Sequence, residues 1–253
     1  RAKVEDVNKC VVSVDIEQPF SDVPTIESSQ TEVAGLVVAN VNSTYLVLTS
    51  SSLLEPGMNY IVRLSDEVQT EAAFVCRNTA SGIGIVSINA SKLTAEQRNS
   101  IAVAQLDNSY MVKQGDLVIA SGKLYETSKG VSYGTIAGSK VEYSKDSGYE
   151  VFETSVSITE GGFAILFNSE GNVVGVSKAS TDTSSKFIGI SDLKAQIETT
   201  INEHGIMYCG ITGQNVTEEL ATKYGLPSGV YISNVDIDSP AYYAGLQAGD
   251  VIS

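Results

Sequence analysis

A chain of 253 residues holds enough apolar material for one large β domain or for two or three small ones. Lysine plus arginine total 16 against 30 acids, a net charge of −14. This excludes the basic footprint that nucleic acid or an anionic membrane surface requires. Tryptophan is absent, 18% of residues are charged, and valine, serine, threonine and glycine abound, a mixture that favours strands and turns over helices.

The three cysteines, Cys10, Cys76 and Cys209, are few, odd in number and without C-x-x-C spacing, so neither a disulfide framework nor a zinc site is indicated. Either Cys10 and Cys76 pair, or all three serve as small apolar residues, which is the expectation. No apolar run reaches the roughly 18 residues that span a bilayer. A chain opening on Arg1 is expected to have lost an N-terminal export or anchor segment, so membrane contact is expected only through such an anchor.

Short β-like runs recur at barrel-like spacing over residues 10–16, 34–39, 45–49, 60–64, 72–77 and 82–88. The stretch 21–30 reads as a long surface loop. Thr94-Ala95-Glu96-Gln97 has the form of a capping box and predicts a short helix over 94–100. A second set follows over 117–121, 131–137, 149–154, 163–167, 173–178 and 187–190. Ser191 as N-cap, with Leu193, Ile197 and Ile201 on one face, predicts a helix over 191–203, then a linker at His204-Gly205.

The texture then changes to alternating strands and capped helices. Thr217 opens a helix that Gly225 ends, with Leu220 and Tyr224 expected to face inward; 230–235 is a strand; Ser239-Pro240 starts a one-turn helix stopped by Gly245. The chain ends at Ser253 within the apolar run Val251-Ile252, which predicts a domain cut within a strand.

Several stretches, in order and spacing, resemble the HtrA (Deg) family of trypsin-like serine proteases. Val11-Val12-Ser13-Val14 looks like the family's opening strand, and YLVLTSSSLL over 45–54 looks like its Y-I-L-T-N-x-H-V-V. SGIGIVSI over 81–88 falls where the family has T-D-L-A-V-L-K-V, VKQGDLVIASG over 112–122 resembles V-x-x-G-x-x-V-x-A-I-G, and GVSYGTIA over 130–137 resembles T-V-T-S-G-I-I-S. TSVSITEGGFAILFNSEGNVVGV over 154–176 resembles the family's nucleophile loop and following hairpin. Tyr208-Cys209-Gly210-Ile211, Ser239-Pro240-Ala241 and Gly249-Asp250-Val251-Ile252 resemble a bacterial PDZ domain. The resemblance implies a mostly β fold of two six-stranded antiparallel β-barrels followed by a partial α+β PDZ domain. The expected divisions are 1–98 and 99–190 for the barrels, 191–205 for the closing helix and linker, and 206–253 for the PDZ part.

A hydrolase of this type needs a serine nucleophile, a histidine base and an acid that fixes the imidazole. The match puts the histidine's place at Ser52, the aspartate's at Gly82, and the serine's at Gly162 or Phe163, so all three side chains differ. The only histidine, His204, falls in the linker, and Glu160 stands where the family has proline, beside a site built for an oxyanion. Gly130-Val131-Ser132-Tyr133-Gly134 matches G-x-S-x-G formally, but that elbow needs a strand-to-helix turn. Serine–lysine neighbours, such as Ser177-Lys178, point to opposite faces of a strand.

The chain is therefore expected not to be an enzyme: an HtrA-like pseudoprotease, extracytoplasmic, binding proteins or peptide C-termini through Tyr208, Cys209, Gly210 and Ile211. The alternative is an active HtrA-type endopeptidase with other catalytic residues. No metal or cofactor is expected, and the family resemblance allows a homotrimer.

Overall fold

The computed structural model describes residues 7–17, 31–55, 57–64, 68–78, 81–124, 130–144, 147–159, 161–178, 184–201, 210–235, 237 and 239–253. The chain divides into two compact units, one of Arg1–Val141 with Tyr149–His204, the other of Glu142–Gly148 with Gly205–Ser253.

Strands β1 (Val11–Glu17), β2 (Thr31–Val41), β3 (Thr44–Ser50), β4 (Asn59–Arg63), β5 (Gln69–Asn78) and β6 (Ile83–Asn89) close a barrel in the order β1-β2-β3-β6-β5-β4. Strand β5 alternates between exposed and half-buried residues along its whole length, as period-2 geometry requires of a strand with one wet face. Strands β2 and β3 are joined at Asn42 and Ser43, both at positive φ (49° and 62°), the two-residue turn whose twist matches a hairpin. Val12, Val14, Val37, Val47, Val62 and Ile88 fill the interior of this barrel.

Strands β7 (Leu117–Gly122), β8 (Gly130–Ser144), β9 (Ser147–Ile158), β10 (Ala164–Asn168), β11 (Val173–Ser177) and β12 (Ser184–Gly189) close a second, in the order β10-β11-β12-β9-β8-β7. The fold class is thus two six-stranded antiparallel barrels, as the sequence led us to expect. Strands β8 and β9 run well past the apolar stretches of 131–137 and 149–154; the added part of β9 places Val156 and Ile158 in the barrel core. Gly130 to Gly134 lie in β8, paired with Val118 to Gly122 of β7, so the formal G-x-S-x-G is strand and not elbow.

The barrels share a third core. Leu36, Leu48, Ile83 and Ile85 of the first pack with Phe163, Ile165, Phe167 and Ile188 of the second. Helix α1 (Ala95–Ser100) leads into the connection, its capping box complete: Gln97 N–H donates to Thr94 Oγ1 and Thr94 N–H to Gln97 Oε1. The connection then hydrogen-bonds first to one barrel (Ala104 N–H to Val37 O, 2.8 Å) and then to the other (Val173 N–H to Gln105 O, 2.8 Å). Helix α2 (Ile190–Ile201) adds Leu193 and Ile197 to the shared core. It begins one residue before Ser191, which is therefore not its cap; the Ser191 hydroxyl accepts from Ser109 N–H at 2.9 Å instead.

In the second unit, β13 (Ile211–Asn215), β14 (Val230–Val235) and β15 (Val251–Ile252) form an antiparallel sheet in that order. Helix α3 (Glu218–Tyr224) is capped by Thr217 and ended by Gly225 at φ 65°, and helix α4 (Pro240–Tyr243) is capped by Ser239. Tyr224 does not face inward: it is 61% exposed, and Lys223 Nζ lies 5.1 Å from its ring centroid. The helix makes only two turns and buries none of its residues, so Tyr224 stays at the surface beside the Lys223 cation.

Asp15 is the one carboxylate in the described core, its side chain 3% exposed, and it accepts a hydrogen bond from Arg63 Nε, whose side chain is 39% exposed. The partners are unequal. Without Asp15 the guanidinium turns to water, whereas without Arg63 a carboxylate is left dry and uncompensated. Arg63→Met should therefore lower the thermal midpoint more than Asp15→Asn, and equal losses in parallel melts would refute this asymmetry.

Candidate functional site

Ser52, the residue expected at the histidine's place, lies just past β3. Ser50 caps a 3-10 turn, Ser51–Leu53, and Ser50 Oγ and Ser52 Oγ lie 2.9 Å apart. Ser50 and Ser51 are buried and Ser52 is exposed. The turn is held from behind: Arg77 donates to Leu54 O at 2.8 Å and pairs with Glu55 at 3.3 Å, while Tyr60 Oη exchanges hydrogen bonds with the Glu55 backbone. Burial pushes the Tyr60 phenol up, the hydrogen bond it accepts from Glu55 N–H opposing it.

The aspartate's place adjoins it in space. Gly82 O accepts from Ser51 N–H at 3.0 Å, and Gly82 N–H donates to Asn78 O at 3.0 Å. Gly82 has φ 74°, a conformation that L side chains adopt at a cost, so the residue type follows from the backbone. Ser81, buried beside it, donates from Oγ to Gln196 Oε1 of α2 at 3.3 Å, and Asn78 Nδ2 reaches the same oxygen at 3.4 Å.

At the serine's place, Gly162 N–H donates to Thr159 O at 2.9 Å, so the amide that would face an oxyanion is used within its own turn. A Cβ at Gly162 would lie 2.4 Å from Lys123 O, 2.7 Å from Ile158 Cγ2 and 2.9 Å from Thr159 O. The Phe163 side chain is fully buried in the shared core, and its carbonyl accepts from Lys123 N–H at 2.9 Å. Neither residue presents a side chain to the cleft. Glu160, His204, Tyr208 and Cys209 lie outside the described residues; Gly210 is buried at φ 83° and Ile211 opens β13.

Sequence reasoning missed the groups that pin the following hairpin. Asp107 Oδ2 accepts from Asn168 Nδ2 at 2.7 Å and Asn172 Nδ2 at 3.4 Å, while Oδ1 accepts from Asn108 N–H at 2.7 Å. The Asn108 amide first, then the Asn172 and Asn168 side chains, hold the Asp107 carboxyl below its ordinary value. The available signal was the pair of asparagines four residues apart at the ends of the turn, which spacing alone does not connect to residue 107. Asp192 is used similarly, accepting from Tyr110 Oη at 2.5 Å and Glu150 N–H at 2.6 Å; the first of these pushes the Tyr110 phenol up.

Cys10 is a free, buried thiol and so is not bridged to Cys76. Cys10 Sγ donates to Val7 O at 3.1 Å, and burial pushes its pKa to about 11, far from the range of a nucleophilic thiolate. Among the described residues no three His, Cys, Asp or Glu side chains are grouped to hold a metal ion.

Two closed antiparallel barrels meeting along an apolar seam, with the matched positions on loops around their junction, define a protein of the trypsin-like class. A family profile described as trypsin-like peptidase domain matches residues 33–176, and the chain belongs to that family. Its relatives include proteins named "Probable periplasmic serine endoprotease DegP-like". The one from Pseudomonas savastanoi pv. phaseolicola is 27% identical over 217 residues, 81% of this chain and 44% of that protein, and the one from Pseudomonas fulva is 28% identical over the same shares. The chain thus spans less than half the length of these relatives. Among solved structures, "HtrA-type protease AlgW with decapeptide" has a TM-score of 0.69 at 20% identity, covering 99% of this chain and 83% of that one.

These comparisons correct the expectation of a non-enzyme. Relatives matched across 81% of the chain are named serine endoproteases, so the class they point to is a protease. The earlier inference ran from three side chains to the role of the whole protein, and the likeness rests on far more of the chain than those three positions.

Two outcomes follow from this geometry. Gly162→Ser should cost about 1–3 kcal/mol, since carbonyl oxygens crowd the new Cβ and overpacking displaces backbone. Gly161→Ala, at φ 65° in open space, should cost about 1 kcal/mol; chemical denaturation checks the order. Because the folded-state pKa of Asp107 is depressed from 3.8, its contribution is present above that value and lost as pH falls through the folded one. Asp107→Asn should therefore flatten the fall in thermal midpoint as pH drops below about 4, and an unchanged slope there would exclude this role.

Proposed function

We propose that this chain acts on polypeptide outside the cytoplasm as an HtrA-type, trypsin-like serine endopeptidase whose catalytic groups differ from the residues at the three matched positions. The observation that carries this reading is the likeness, over 81% of the chain, to proteins named periplasmic serine endoproteases. The geometry sets its terms. Hydrolysis has to draw its nucleophile from another serine, and an oxyanion hole at the 159–162 turn requires Gly162 N–H to leave Thr159 O. The hydrogen-bonded Ser50–Ser52 pair beside Gly82 is the hydroxyl-bearing part of the matched site.

The second unit is proposed as a PDZ-like module that receives a peptide C-terminus at Tyr208, Cys209, Gly210 and Ile211. The positive φ of Gly210 just ahead of strand β13 supports this, since such a turn turns backbone N–H groups toward a carboxylate.

Treatment of the full chain with a fluorophosphonate probe, with the labelled peptide mapped, tests the first part alongside casein digestion. Labelling of a single serine, with cleavage abolished when that serine becomes alanine, is expected; intact casein and no labelled serine would overturn the reading. For the second part, a fluorescent peptide with a free C-terminus should bind and its amidated counterpart should not; equal binding by both refutes carboxylate recognition.

A further inference from the structure

Helix α2 does more than cover the shared core. Its apolar face, Leu193 and Ile197, is buried there, while Gln196 turns to the loop between β5 and β6. The Gln196 amide oxygen accepts two donors, Ser81 Oγ at 3.3 Å and Asn78 Nδ2 at 3.4 Å. Those two residues shape the loop at Gly82: Ser81 N–H donates to Asn78 Oδ1 at 3.2 Å, and Gly82 N–H donates to Asn78 O at 3.0 Å. Gly82 O in turn accepts from Ser51 N–H at 3.0 Å, in the turn that carries Ser52. A continuous run of hydrogen bonds therefore leads from one side chain of α2 to the matched site.

Each step fixes the next. Ser81 is buried, so its hydroxyl needs a partner within the protein. The oxygen of Gln196, at 3.3 Å against 3.5 Å for Asn78 O, is its nearer acceptor and orients Asn78 with the same lone-pair set. Asn78 then sets the direction of the Gly82 peptide, whose φ of 74° belongs to a turn with few alternatives once both of its amide partners are in place. At the far end, Gly82 O is the backbone partner of Ser51 N–H, so a rotation of the Gly82 peptide withdraws the acceptor from the first residue of the 3-10 turn.

We propose that Gln196 is a positioning residue: through its amide oxygen, helix α2 sets the backbone geometry of the turn Ser51–Leu53, so that a displacement of α2 alters the matched site. In chain order α2 is the last described element before β13. The functional meaning of this control rests on the peptidase reading above, but its physical content does not.

The test uses the full chain and amide hydrogen exchange, which reads the turn whether or not any substrate is cut. Gln196→Leu keeps the volume and removes the acceptor; Gln196→Glu keeps an acceptor oxygen. The leucine variant should raise exchange at Ser51 and Gly82 roughly five- to tenfold, the scale of one net hydrogen bond, and the glutamate variant should restore it. The Ser109 amide, which donates to Ser191 at the start of the same helix, serves as the internal control and should stay unchanged. Unaltered exchange at Ser51 in the leucine variant would overturn the proposal. So would equal acceleration in both variants, or an equal rise at Ser109, which would mark a general loosening of α2. A null result in casein digestion with the expected exchange pattern would refute the peptidase reading alone.

Discussion

The apolar seam between the barrels is the constraint from which the rest of the first unit follows. Phe163 and Phe167 are fully buried in it, each contributing on the order of 2–3 kcal/mol through burial alone. Because Phe163 is anchored there, the residue before it cannot move freely. Gly162 lies against Lys123 O, and the Lys123 amide holds Phe163 O, so the loop at the serine's place is clamped on both sides of the peptide. The same seam takes Leu193 and Ile197 from α2, which fixes the register at which Gln196 meets the β5–β6 loop. Local chemistry around the junction is thus set by apolar packing together with the hydrogen bonds that this packing holds in register.

The strands were legible in the sequence where one face is apolar and the other wet, because period-2 alternation is written directly into residue type. They were illegible where the pattern disappears. The outer part of β8 carries Ser139, Lys140 and Glu142 with exposed Val141 and Tyr143, and no count of buried hydrophobic positions finds it. The helix cap at Thr94 was readable because both partners lie within three residues; the start of α2 was misread because Ser191 bonds to Ser109, eighty-two positions away. Tyr224 was misplaced for a related reason: an apolar residue at helical spacing suggests a buried face only where there is something large enough to bury it.

The candidate site divides along the same line. Order and spacing supply only an expectation of which residues stand at the matched positions. What those residues do could not be read there, since it depends on φ at Gly82, on the carbonyls around Gly162 and on contacts from Gln196, all of them properties of the folded chain. The reading of the chain as a non-enzyme failed at the step from residue type to role. Three expected positions bear on one arrangement of catalytic groups, whereas the family match runs over residues 33–176.

The slender interior of the second unit has a thermodynamic corollary. Among its described residues only Ile232 and Ala241 are fully buried apolar side chains, set against the dozens that fill the barrels. Opening free energies differ between parts of a protein according to how much each conceals from water. The C-terminal sheet should consequently melt as a subglobal unit well before the barrels, and a single transition temperature will not describe this molecule.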